Sequence, residues 1–436
     1  MTNEERKNFY LNRNVKLHPL LSALTWDVIF VWTISTLFFT TQKGLSFSQT
    51  ITLDSVLMIC GCLLCVPVQR LFQNVKSMHA IRFSLLGYAG YILLCIFGTN
   101  YFMFILAQPF LAFGYVVNAV KINGVLTNSL QKLNREKEYQ KISGKGFSYY
   151  YIIECFGAIV ITYIYSWNAF AAYWVSLGVV VFAFLITFFF KDPEKFQESN
   201  ISIDAKESVK KPEKKPDGYL KILTSGFFVF LLIYAMMIRG TLSVASSAYK
   251  IYLNKLIDLK AIPVWLFGYL FAISRLVTAL SSKYQFKFNL KFGVKTLIFL
   301  NALILICFFV TGILYLINPT FLPFMIVIII LCCISTALRT PNQIFVNNYM
   351  QVCMPKRNTE RAYAMKTMVE YLGFSIGSAI YAGLLSLFKD NLGLTNIVYI
   401  SILAIPLIVS LVLFIRALIK KYAQKFTVIK DEYTKD

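Results

Sequence analysis

Six ionisable side chains interrupt long apolar runs: Asp27, Lys121, Glu154, Arg239, Arg275 and Arg339. In such a setting a carboxyl group can take up and release a proton, and an ammonium or guanidinium group can hold an anion. Seating a charge at mid-helix in a bilayer costs about 2.5–3.5 kcal/mol on insertion scales, so each is expected to face protein or a wet cavity. Helical spacing extends four of them into polar stripes. Gly114, Asn118 and Lys121 share one face at i, i+4 and i+7. Arg239, Ser243 and Ser246 share another, and Arg339, Gln343 and Asn347 a third, while Asp27 and Ser35 share a side with Trp32 nearby. A structural Asp27–Lys121 ion pair and arginines snorkelling to the interface would account for the same placement without a binding site.

Other chemistries lack material. The two histidines, His18 and His79, stand at the borders of apolar runs, which leaves no histidine-based catalysis or histidine-rich metal site. Eight of nine cysteines lie inside apolar runs, where no disulfide framework forms, and Cys60, Cys62 and Cys65 have no histidine or acid beside them to complete a metal site. No metal, cofactor or catalytic residue is expected, and an enzyme is excluded for want of convergent nucleophile or acid–base groups.

The elements that must position these charges follow from composition. Of 436 residues, 57% are hydrophobic and 15% charged, with a mean hydropathy of +0.62. A soluble chain of this length could not hide that much apolar side chain, so an all-α integral membrane protein is expected. Twelve runs of spanning length fall near 20–41, 49–69, 80–99, 102–127, 147–166, 171–190, 222–249, 262–281, 296–317, 321–345, 363–387 and 395–419. The Pro-, Lys- and Glu-rich stretch 191–219 reads as a cytoplasmic linker. It separates an N-terminal six-helix bundle (1–190) from a C-terminal one (220–424), with a cytoplasmic tail at 425–436.

A net charge of +22 would point to nucleic acid in a soluble chain, but here it sorts by loop. With twelve spans, 34 of the 43 Lys and Arg residues fall on the side of the termini and linker, five on the other side and four inside spans. By the positive-inside rule both termini are cytoplasmic, and a cell-membrane, multi-pass protein is expected, with lipid and a small solute as partners, no nucleic acid, and a monomeric state. The halves also echo each other. Asn128-x-x-Gln131 and Glu154-x-x-Gly157 bracket a basic loop in the first half, as Asn348-x-x-Gln351 and Glu370-x-x-Gly373 do in the second.

Twelve spans, cytoplasmic termini, a charged linker after span 6 and a six-plus-six repeat resemble the major facilitator superfamily over about residues 20–420. The family's usual Gly-x-x-x-Asp-Arg-x-Gly-Arg-Arg signature is missing: the stretch reads Val66-Pro67-Val68-Gln69-Arg70-Leu71-Phe72-Gln73-Asn74-Val75-Lys76, without its aspartate or glycines. The resemblance implies a secondary transporter whose two bundles rock about a central site lined by helices 1, 4, 7 and 10. Asp27, Lys121, Arg239 and Arg339 lie on those four spans, so Asp27, Trp32, Asn118, Lys121, Arg239, Arg339 and Gln343 become candidate substrate-binding residues. Asp27 and Glu154 become candidate proton carriers, and Glu154 with Arg275 and Arg70 with Glu370 candidate gating pairs. Three basic groups against one acid favour an anionic or amphipathic solute; a multidrug efflux transporter of broad specificity is the rival reading.

Overall fold

The computed structural model describes residues 3–433 apart from 29, 73–74, 136–137, 194–218, 224–225, 294 and 354–358. Most of the expected linker, with its lysine–proline stretch, therefore lies outside the described residues. The described chain forms the helices α1 (Asn3–Thr25), α2 (Val31–Thr41), α3 (Phe47–Phe72), α4 (Ser77–Phe97), α5 (Tyr101–Lys132), α6 (Tyr139–Trp167) and α7 (Ala169–Ile186). After the linker come α8 (Tyr219–Leu223), α9 (Gly226–Asp258), α10 (Val264–Phe292), α11 (Lys295–Ile317), α12 (Leu322–Ala337), α13 (Arg339–Cys353), α14 (Thr359–Leu387) and α15 (Leu392–Tyr433).

Eleven described stretches are long and apolar enough to cross a membrane, and they coincide with expected spans 2 to 12. The first expected span is different. It is split into the polar α1 and the short apolar α2 by a break at Trp26–Phe30, where Phe30 adopts a positive φ of 76°. The polar start of the chain, ahead of the first expected span, is helical from Asn3, and its Val15 packs on Leu126, Leu130 and Ile142. His18 is buried there with Nε2 on the Ile122 carbonyl (3.3 Å), and burial lowers its pKa to about 4, so the ring is neutral. Helix α9 also outruns its expected end: it continues to Asp258, which puts Lys250 and Lys255 inside a helix where hydropathy had placed a loop.

Two compact units divide the chain. One comprises the described residues of Met1–Lys43, Leu63–Lys214 and Val264–Ala272, and the other those of Gly44–Cys62, Lys215–Pro263 and Ile273–Asp436. Helices α3 and α10 are each shared, their first and second parts belonging to different units. In α3 the division falls at Cys62/Leu63, and Pro67, which has no N–H for the Leu63 carbonyl, removes the helical hydrogen bond just past it.

Within each unit the helices pair in the same order. In the first, α1 packs on α5, α6 and α7, and α4 on α5 and α7; in the second, α9 packs on α13, α14 and α15, and α11 on α12 and α15. An asparagine on the fourth helix ties three helices together in both. Asn118 Nδ2 donates to Thr25 O (3.0 Å) and Tyr88 Oη (3.1 Å) while its Oδ1 accepts Ser84 Oγ (2.6 Å). In the second unit Tyr234 Oη donates to Asn342 Oδ1 (3.3 Å) and accepts Asn301 Nδ2 (2.8 Å).

The paired Glu-x-x-Gly sequences have one physical explanation. Gly157 of α6 leaves the notch that the Phe30 ring fills, and a Cβ there would overlap the ring. Gly373 of α14 likewise lies against the Met236 backbone of α9, and Gly240 of α9 lies against Gly373 in return. Each glycine lets the fifth helix of its repeat close on the first.

The first residues of the linker are anchored to the first unit. Asn14 and Lys191 exchange hydrogen bonds (Asn14 Nδ2 to Lys191 O, 2.7 Å; Lys191 N to Asn14 Oδ1, 3.1 Å). Asp192 Oδ1 accepts the Met78 N–H (2.8 Å) at the start of α4, an anion placed where helix N–H groups lack partners.

Candidate functional site

The break between α1 and α2 organises a polar cluster in the first unit. With no turn of helix following, the Thr25 carbonyl at the end of α1 needs donors, and Tyr88 Oη (3.1 Å) and Asn118 Nδ2 supply them. Gly114 of α5 leaves room for the Tyr88 ring to reach this point, since a Cβ on Gly114 would overlap it. Asp27, in the break itself, accepts the Tyr115 hydroxyl and its neighbour's Val28 N–H (2.7 Å) at Oδ1, and the Tyr150 hydroxyl (3.5 Å) at Oδ2. Tyr150, Glu154 and Gly157 follow one another at i, i+4 and i+7 on α6. Tyr150 meets Asp27 and Gly157 holds Phe30, so the buried Glu154 stands on the same stripe, facing the break.

Other candidates of this half are placed nearby with different partners. Trp32 is in the first turn of α2, and its carbonyl accepts Ser35 Oγ (3.1 Å). Lys121, one turn beyond Asn118 on α5, donates from Nζ to the Val75 carbonyl (3.2 Å). Asn118 commits its oxygen and both amide hydrogens to Ser84, Thr25 and Tyr88, a geometry suited to holding helices in place.

The second unit holds a basic pocket. Arg239, Ile238 and Leu242 from α9, Arg339, Asn342, Gln343 and Val346 from α13, and Glu370 from α14 line one small pocket. Arg339 is brought here by a kink between α12 and α13. Pro341 has no N–H for the carbonyl four residues back, Ala337, and Ser281 Oγ of α10 donates to that carbonyl (3.2 Å) in its place. Arg239 is 8% exposed and lies over the Phe374 ring, 5.7 Å from its centre. Glu370 is joined to Lys366 one turn earlier on α14 (2.8 Å), a buried i,i+4 pair. The Asn347 side chain lies outside those described.

Sequence reasoning thus finds Arg239, Arg339 and Gln343 in one pocket, and Asp27 with Glu154 around one helix break. Arg70 is exposed in the last turn of α3, and Arg275 stands on α10 three residues beyond Ala272, where that helix passes into the second unit. Reasoning from sequence missed Tyr115 and Tyr150, Asn342, and Lys366, although the i,i+4 spacing of Lys366 and Glu370 was there to be read. Among the described residues no group of His, Cys, Asp and Glu is arranged to hold a metal ion.

Comparison with known proteins supplies the family. The model of the Major Facilitator Superfamily matches residues 17–378. Among solved structures, a mutant of nucleoside transporter NupG superposes with a TM-score of 0.70 at 13% identity, covering 93% of this chain and 99% of that one. The crystal structure of nucleoside transporter NupG gives 0.69 at 10% identity, covering 92% and 99%. A bacterial homologue of the human lysosomal transporter Spinster, in an inward-facing and unoccupied conformation, gives 0.63 at 12% identity, covering 94% and 98%. A search of curated proteins returned no match. With its two repeated helix units and a family match over most of its length, the chain belongs to the Major Facilitator Superfamily and is a multi-pass membrane transporter.

Proposed function

We propose that the chain is a secondary active transporter that carries a small organic anion, or an amphipathic solute bearing one anionic group, by alternating access. The observation that carries this reading is the convergence of Arg239 and Arg339 on one pocket beside the amides of Asn342 and Gln343. Two guanidinium forks suit a carboxylate or phosphate, and the amides suit neutral polar groups on the same solute. The rival, a multidrug exporter for cations, would have to place a positive charge beside both arginines. The skew of basic residues toward the loops of the termini supports a cell-membrane protein with both ends in the cytoplasm.

A thermal-stability screen tests the substrate class. Carboxylates and phosphate esters should raise the melting temperature of the purified transporter. Neutral nucleosides, included because the NupG structures share the fold, should do so less, and cationic drugs not at all. Stabilisation by cationic drugs alone would remove the anion reading.

Proton coupling belongs to the same proposal and rests on Asp27 and Glu154. Asp27 lies in the break between α1 and α2 and Glu154 on the α6 stripe that carries Tyr150 and Gly157, and Tyr115 and Tyr150 give Asp27 hydroxyl partners through which a proton can be exchanged. Replacing Asp27 with Asn keeps the shape but removes the exchangeable proton. The expected outcome in proteoliposomes is loss of accumulation driven by a proton gradient, with solute exchange across the membrane retained. Undiminished gradient-driven accumulation by Asp27→Asn would show that coupling lies elsewhere.

A further inference from the structure

The end of α7 is ringed by cations that neither cluster above uses. Tyr10 of α1 has three of them over its ring: Arg13 at 4.9 Å, Lys191 at 5.8 Å and Arg6 at 5.9 Å from the centre. A hydrogen bond from Arg6, with the charges of Lys191 and Arg13, lowers the pKa of the Tyr10 hydroxyl. A fourth cation, Arg82 of α4, donates from Nε to Thr187 Oγ1 (2.9 Å) and from Nη2 to Thr187 O (3.4 Å). Its guanidinium lies over the Phe188 ring, 4.2 Å from the centre, so the plane of the fork is fixed. Among the described residues no ion pair joins any of these four cations to an acid. Of the acids at this end of the unit, Asp192 takes the Met78 N–H, and Glu4 and Glu5 stand in the first turn of α1. Depth is set by Asn14, whose Nδ2 reaches Ser129 Oγ (3.5 Å) and the Lys191 carbonyl. The spans of α5 and α7 end at Leu130 and Phe189, so this turn of α1 is level with two span ends. Phospholipid headgroups lie at that level. Phe9, Phe188 and Phe189 are each more than half exposed beside the cations.

We propose that Arg6, Arg13, Lys191 and Arg82 seat the headgroup of an anionic phospholipid at the end of α7, its acyl chains running over Phe188 and Phe189. Cations gathered on one ring repel one another, and an anion among them turns that repulsion into attraction. A guanidinium held flat, with two of its three nitrogens on Thr187, presents Nη1 to a phosphate oxygen. The exposed phenylalanines at the same depth select a lipid over a free anion, because only the lipid brings apolar chains to cover them. A lipid seated here touches α1, α4 and the first residue of the linker together. It therefore reinforces the hydrogen bonds by which Asn14 holds Lys191.

Native mass spectrometry and thermal melting of the full-length protein in a neutral detergent test this without a substrate. Phosphatidylglycerol should stay bound and raise the melting temperature, phosphatidylcholine should do so less, and inorganic phosphate should not replace either. Each cation removed should weaken phosphatidylglycerol binding about fivefold, so Arg6→Gln with Lys191→Gln should weaken it about 25-fold. Both side chains are exposed, and Lys191 meets Asn14 through its backbone, so this variant keeps the fold. Arg82→Lys, which keeps the charge and loses the fork, should fall between the native protein and Arg82→Gln. Lys145→Gln with Lys295→Gln is the control: both lysines are exposed, and each is the first residue of a span. It removes the same charge elsewhere and should bind as the native protein does. Native binding by Arg6→Gln with Lys191→Gln would overturn the proposal, and so would an equal loss in the control pair, which would show general attraction to a basic protein. Stabilisation by inorganic phosphate that disappears in Arg6→Gln with Lys191→Gln would assign the cations to a free anion instead of a lipid.

Discussion

Changing Arg239 or Arg339 to glutamine should weaken binding of a stabilising anion by roughly 10- to 150-fold per residue, measured by calorimetric titration of the purified transporter. The size follows from the loss of one charge-assisted hydrogen bond worth about 1.5–3 kcal/mol in a poorly hydrated pocket. Arg239 is nearly buried on α9 and Arg339 stands at the α12–α13 kink, and both line the same pocket. Arg→Lys variants separate charge from geometry. Lysine keeps the charge but not the planar fork, so a bidentate grip predicts Arg239→Lys falling well below the native protein and above Arg239→Gln. Binding unchanged in both glutamine variants would mean that the pocket does not hold the anion.

Some of this was open to sequence reasoning because cost marks function. A charge in an apolar run is expensive, so Arg239 and Arg339 stand out against the residues around them, and the repeated Glu-x-x-Gly gains its weight from matching positions in the two halves. The break at Trp26–Phe30 does not, because that stretch contains neither glycine nor proline. It is held open by tertiary partners remote in sequence: Tyr88 and Asn118 on the Thr25 carbonyl, and the Gly157 notch around Phe30, whose φ of 76° is tolerated only because its surroundings fix it. Lys250 was hidden for another reason. It stands near the end of a hydrophobic run, where a hydropathy window assigns a lysine to the loop, and only the continuation of α9 to Asp258 shows it inside. The partners of Asp27 and Lys121 illustrate a third limit. The family resemblance puts both on cavity-lining spans, but the sequence does not say that Asp27 takes tyrosine hydroxyls or that Lys121 reaches the Val75 carbonyl.

The two notch glycines should respond to the same substitution in different ways. Gly373→Ala is expected to lower the yield of monodisperse protein more than Gly157→Ala, and Gly373→Leu to abolish it. A Cβ on Gly373 would overlap the Met236 carbonyl oxygen and lie 2.9 Å from the Met236 carbonyl carbon, and one on Gly240 would lie 2.8 Å from the Gly373 oxygen. Those neighbours are helix backbone and cannot rotate away, so α9 and α14 must separate. Overpacking of this kind costs about 1–3 kcal/mol and more where nothing yields, against a total stability of about 5–15 kcal/mol. Gly157 faces the edge of the Phe30 ring, which can shift, but Phe30 is the hinge of the α1–α2 break and is three residues from Asp27. Gly157→Ala should therefore leave a folded protein whose proton-driven transport is reduced about tenfold or more, because moving the ring moves the backbone that presents Asp27. Gly383→Leu, on α14 with open space around its Cβ position, is the control and should behave as the native protein in size-exclusion chromatography and in transport. Equal damage from Gly383→Leu and Gly373→Leu would show that loss of helix-sized glycines in general, and not the α9–α14 contact, limits folding. Native transport in Gly157→Ala would detach Phe30 from the placement of Asp27, leaving the break a packing feature without a share in coupling.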